Sequence, residues 1–173
     1  MRSWAVSFLV LAQAGQATAS FGSDWSPTVI AMAANFMGLP AIVLANELAS
    51  ALGRRGVIMG IMAASALTGL ILGALASAPF VLIFGLVMVY GFVVPADAGT
   101  LNAALVSVAQ GSRRGGTLGV HAMFGAAGAT LGPMLFGAVL DLAGGELSQG
   151  AWMAAFAAMA CLVAVGPAAI HYL

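Results

Sequence analysis

Lysine is missing from this chain of 173 residues, and charged residues of every kind make up only 6% of it. Soluble domains carry roughly 25%, so no water-facing surface can be assembled from this composition. Five arginines balance five acids to a net charge of zero, which leaves no basic patch able to follow a nucleic acid. The single cysteine, Cys161, excludes an intrachain disulfide and any site built from several thiolates. Inside an apolar run it reads as a small packing residue. No Gly-x-Ser-x-Gly elbow, His-Glu-x-x-His pair or other cluster with ligand spacing occurs, so no metal, no cofactor and no enzyme is expected. Ser107 and His121 are the one nucleophile and base that could be paired, with nothing specific in their spacing to recommend them.

What is present is hydrophobic sequence, 62% of the residues. About 20 consecutive apolar residues cross the hydrocarbon core as a helix. The runs do not alternate apolar and polar residues, as barrel strands would, and an open sheet in lipid would leave backbone groups unpaired. The expectation is an all-α, polytopic membrane protein, one six-helix domain over residues 1–173, with spans at about 3–20, 27–51, 57–76, 80–109, 117–140 and 151–170. Its other partner is the lipid bilayer itself.

The first run is short and interrupted by Gln13 and Gln16, which share a face with Ser20. That face lines a polar cavity or contacts other helices. Arg2, an apolar centre and Ala17-Thr18-Ala19 would also suit a secretory signal. Ser26-Pro27 starts the second span. Within it Asn35 and Asn46 are eleven residues apart, close to three turns, and Pro40 between them is expected to bend the helix. The Asn pair serves substrate contact or interhelical hydrogen bonding. The fourth span would be about 45 Å long if straight, so it must tilt, kink or protrude, and Pro95 marks the kink.

Arg54-Arg55 and Arg113-Arg114 are separated by two spans and so share one side of the membrane. The positive-inside rule makes that side, and the carboxy terminus with it, cytoplasmic. Asp24, Asp141 and Glu146 then fall outside.

Residues 93–141 read as the organising stretch, two apolar helices forming a hairpin about the second Arg pair. Asp97 lies in the middle of the fourth span. An intramembrane acid costs roughly 2.5 to 3.5 kcal/mol on insertion scales and normally faces protein or water. Two readings stand: a proton-binding acid that loads and unloads as a cavity alternates, or a static acid held by neighbouring hydroxyls or His. Thr100 and Ser107 follow on about the same face and are expected to form a polar stripe below Asp97, and Thr100 and Asn102 with Gln13, Gln16 and Asn35 complete the candidate substrate or proton pathway. His121 shares a stripe with Gly125, Gly128 and Gly132. It is expected to meet a neighbouring helix as a structural residue, with a proton relay as the alternative. Gly128, Gly132, Pro133 and Gly137 are expected to serve close helix packing and a bend.

These residues carry a resemblance. Asn46-Glu-Leu-Ala-Ser-Ala-Leu-Gly53-Arg54-Arg55 resembles the short signature loop of the major facilitator superfamily, and Gly128-Ala-Thr-Leu-Gly132-Pro133-Met-Leu-Phe-Gly137 is similar to that family's Gly-Pro-Gly helix. Arg113-Arg114-Gly115 before a Gly-rich helix resembles its penultimate cytoplasmic turn. The resemblance implies the carboxy-terminal half of a secondary transporter of a small solute in a bacterial inner membrane, working with a second six-helix half or as a homodimer. The first span then reads as a partial helix. Glu47, Gly53, Arg54, Arg55, Arg113 and Arg114 become the cytoplasmic gating loops. The family's acid position falls on Ser50 and its following basic position on Ala51, so Glu47 would have to replace the acid from one turn away. The alternative is a membrane remnant or helix-packing module that transports nothing.

Overall fold

The computed structural model describes residues 4–15, 24–109 and 111–172, the side chains of 112 and 167–172 excepted. Among them every regular element is a helix: α1 Ala5–Ala14, α2 Pro27–Phe36, α3 Gly38–Leu52, α4 Arg54–Ala74, α5 Phe80–Val93, α6 Ala96–Val108, α7 Arg114–Leu142 and α8 Gln149–Tyr172, with a 3₁₀ turn at Gly111–Arg113 before α7. Five segments are long and apolar enough to cross a membrane: Pro27–Leu52, Arg54–Ala74, Phe80–Val108, Arg114–Leu142 and Gln149–Gly166. The first expected span is represented by the ten-residue α1, and the rest of it lies outside the described residues.

Two of the five segments are broken, and proline chemistry accounts for both breaks. Pro40 has no amide to donate, and its ring presses on the carbonyl four residues earlier. α2 accordingly ends at Phe36, and α3 restarts at Gly38 after a turn at Met37. Pro95 does the same between α5 and α6. Pro133, by contrast, sits inside an unbroken α7, so the bend expected there does not interrupt the helix.

The broken helices lie side by side with their backbones in contact. A Cβ added to Gly91 would strike the Ala34 backbone, 2.7 Å from the carbonyl carbon and 2.9 Å from Cα. One turn on, a Cβ at Gly38 would lie 2.6 Å from the Pro95 ring, and one at Gly99 would lie 2.5 Å from the Ile42 side chain. Ala34, Gly38 and Ile42 thus meet Gly91, Pro95 and Gly99 at a constant sequence offset, which means that the segments run parallel with their breaks at one level. Their carboxy-terminal ends therefore lie at the same end of the bundle, and both Arg pairs lie with them.

At the opposite end the core is aromatic. Phe136 stacks near Trp4 at 6.0 Å, and Phe8, Trp152 and Phe156 pack around it with ring centroids 5.1–6.4 Å apart. Each such pair adds roughly 0.5 to 1.5 kcal/mol beyond its area. The buried Trp152 donates its indole N–H to the Glu146 carbonyl at 2.7 Å, which ties α8 to the turn before it.

The stretch 93–141 does not form the expected hairpin core. α6 packs mainly on α3 and α7 mainly on α8, while α4 and α8 form the most extensive pair in the molecule. Adjacency in sequence did not decide the pairing of α6 with α3 or of α4 with α8. Close backbone approach through glycine did.

Candidate functional site

The break at Pro95 makes a new helix amino terminus in the middle of a span-length segment. Such a terminus carries free amides and the positive end of the helix dipole. Asp97 occupies the first turn of α6, where the dipole favours a negative charge. The half-buried acid faces a cavity of about 130 Å³ between α4, α5–α6 and α8, whose polar contributors are Ser65, Tyr90 and Asp97. The remaining walls include Met62, Gly69, Phe156 and Met159. A space of that size with three polar partners has room for several waters.

Tyr90 divides this cavity from a second one. On its other side a space of about 60 Å³ is lined by Phe8, Ala34, Asn35, Tyr90, Gly91 and Pro95, among others. Asn35 therefore shares a cavity wall with Tyr90 but not with Asp97. Its side-chain amide donates to the Ala31 carbonyl at 2.8 Å, within its own helix. The Tyr90 ring is held edge-on to Phe156 at 6.4 Å and lies 3.4 Å from where a Cβ on Gly69 would stand.

The other candidates for the pathway are dispersed. Gln13 donates to the Trp25 carbonyl at 2.8 Å and so fastens α1 to the start of the second segment. Gln16 lies outside the described residues. Asn102 is exposed on α6. Thr100 is completely buried, does not line the Asp97 cavity, and its hydroxyl has no hydrogen-bond partner among the described residues.

At the Arg end, Gly53 adopts φ 94° and separates α3 from α4. Arg54 reaches across to α6 and donates to the Ser107 hydroxyl at 2.8 Å and the Ala103 carbonyl at 3.3 Å. The guanidinium thereby ties the start of α4 to the last two turns of α6. Ser107 belongs to this contact, not to a polar stripe below Asp97. Glu47 and Ser50 are exposed, and the Ser50 hydroxyl donates to the Asn46 and Glu47 carbonyls. Arg55 lies exposed beside Arg54, as do Arg113 and Arg114 at the start of α7.

The glycine stripe of α7 is open. A Cβ on Gly125, Gly128 or Gly132 would meet nothing within 4 Å, so within this chain the close packing expected of Gly128 and Gly132 is unfilled. Gly137 is different. Trp4 lies against it, 2.7 Å from an added Cβ, and donates its indole N–H to the Pro133 carbonyl at 3.0 Å. His121 is half-buried and borders a broad groove of about 790 Å³ with Leu105, Arg113, Thr117 and Val120. Among the described residues the one residue of another long helix on this groove is Leu105 of α6, so His121 is not covered by a neighbouring helix as expected.

The sequence reasoning missed Tyr90, Ser65 and the Arg54–Ser107 contact. Gly91, Pro95 and Gly99 at four-residue spacing were a signal for the α2–α3 seam that went unused. Among the described residues no group of three His, Cys, Asp or Glu could hold a metal ion. No family model matches the chain, and no curated protein or solved structure matches it.

Proposed function

We propose that the chain is a six-span domain of the bacterial inner membrane and forms one half of a secondary transporter of the major facilitator type, moving a small solute by alternating access. The observation that carries this reading is the acid at a helix break: Asp97 stands at the amino terminus of a half-helix, mid-segment, in a cavity with Tyr90 and Ser65. Transporters place substrate and ion sites at such discontinuities near the bilayer midplane. Asp97 is the coupling acid of this proposal, and the Arg pairs face the cytoplasm.

The pattern of helix pairing supports it. Exchanging the first three segments for the last three leaves the α4–α8 pair in place, and turns the pairing of the two broken segments into that of α1 with α7, the contact Trp4 makes. Internal inverted repeats of this kind are common in transporters. The second six-span half, or a second copy, would cover the open face of α7.

Proteoliposomes holding this chain alone, and together with a six-span first half, test the reading. A panel of small solutes and an imposed pH gradient would be used. Uptake is expected only when both halves are present. In Asp97→Asn, proton-driven uptake should be abolished and solute exchange spared; unchanged pH dependence in that variant would remove Asp97 from the mechanism.

One observation favours a second reading. The two cavities that Tyr90 borders measure about 60 and 130 Å³, small for a solute, while most of α7 lies exposed. A helix-packing module that transports nothing would look the same, and inactivity in both preparations would select it.

A further inference from the structure

A third recess lies on the outside of the broken pair. Between α3, α4 and the α5–α6 break runs an apolar groove of about 500 Å³. Ala41, Ala45 and Ala96 form its buried floor, and Leu44, Leu48 and Gly60 its exposed rim. No charged or hydrogen-bonding side chain lines it. It extends from the level of the two breaks to Val57, within one turn of Arg54. Arg54 crosses from α4 to Ala103 and Ser107 on α6, so its guanidinium stands at the groove's end.

Arg54 meets no carboxylate among the described residues. Both partners of Arg54 are neutral oxygens. α4 begins at Arg54 with no acid in its first turn and no side-chain cap, although the dipole there favours an anion and disfavours a cation. An apolar slot that opens beside a cation and a helix amino terminus is complementary to a lipid whose acyl chain fills the slot while its headgroup carries a phosphate.

We propose that this groove binds an anionic phospholipid, one acyl chain lying on Ala41, Ala45 and Ala96 and the phosphate on Arg54. The site rests on the membrane reading above but not on transport. Bound there, the lipid would brace the breaks in both segments from outside the Asp97 cavity, so bilayer composition would tune how readily they bend.

The full chain in lipid nanodiscs tests this with spin-labelled phosphatidylglycerol and phosphatidylcholine, reading the immobilised fraction of each. Phosphatidylglycerol is expected to be preferred about fivefold, the discrimination one basic residue gives near a surface. Arg54→Gln should remove the preference. Gly60→Phe, at a position where an added Cβ meets nothing within 4 Å, should fill the groove and lower the immobilised fraction of phosphatidylglycerol to that of phosphatidylcholine while helicity is retained. Equal binding of the two lipids, or binding unaffected by Gly60→Phe, would overturn the site. A groove occupied by a second copy would appear as a dimer lost in Gly60→Phe, and would overturn it too. Failure of the chain to enter the discs would overturn both the site and the membrane reading.

Discussion

The seam between the broken segments and the exposed length of α7 are both glycine-rich at helical spacing, yet they stand in opposite environments. At the seam, Gly91 touches the backbone of Ala34, and Gly38 and Gly99 receive Pro95 and Ile42. On α7, Gly125, Gly128 and Gly132 face empty space, and Phe124 just before them is 76% exposed. Small residues let helices approach closely, and among the described residues the approach is realised at the seam, and again where Gly73 of α4 meets Met153 and Phe156 of α8, but not at these three positions of α7. The seam is therefore internal architecture, and the α7 face is a surface awaiting something else.

The comparison can be broken most forcefully at Gly91. Gly91→Leu drives a side chain into backbone that cannot rotate away, and should cost at least about 3 kcal/mol, read as lost thermal stability of the purified chain in detergent. Gly128→Leu should stay within about 0.5 kcal/mol of the parent. Equal losses in the two variants would mean that α7 packs within the chain after all.

The far end of α7 gives an intermediate test, because there the helix does meet a neighbour. Trp4→Ala removes the indole that fills the Gly137 notch, stacks near Phe136 and donates to Pro133. A loss of about 3 kcal/mol is expected, with no effect on reactivity at Asp97. The smallest effect belongs to the seam's own helix. Thr100 buries a hydroxyl without a partner, so Thr100→Val should be neutral or stabilising by up to about 1 kcal/mol, since the desolvated hydroxyl disappears. A clear loss of stability would show that the hydroxyl is bonded in the membrane.

The parts of this architecture that were legible in the sequence are those with a local cause. Pro40 and Pro95 break their helices because a missing amide and a ring clash act over four residues. The two Arg pairs lie at one end because two spans separate them. Pairing across the bundle was not legible in the same way. Residues 93–141 looked like a hairpin because they are contiguous, whereas α6 turns to α3 through Gly91, Pro95 and Gly99. Glycine signals that a neighbour can come close; it does not say which neighbour. Asp97 was found from its place in the middle of an apolar run, but its companions Tyr90 and Ser65 were not, since they come from α5 and α4 and converge only in three dimensions. Thr100 and Asn35 share helices with the seam and face other ways.

The central claim is that Asp97 stands in a water-reachable cavity in the middle of a membrane domain. In a Cys161→Ser background, Asp97→Cys in sealed vesicles can be challenged with a small, charged, membrane-impermeant thiol reagent. The account predicts that the cysteine is labelled, and that widening the divide with Tyr90→Ala speeds the reaction. A cysteine that resists the charged reagent in both backgrounds, yet reacts with a lipid-soluble maleimide, would place the position against lipid and contradict the account.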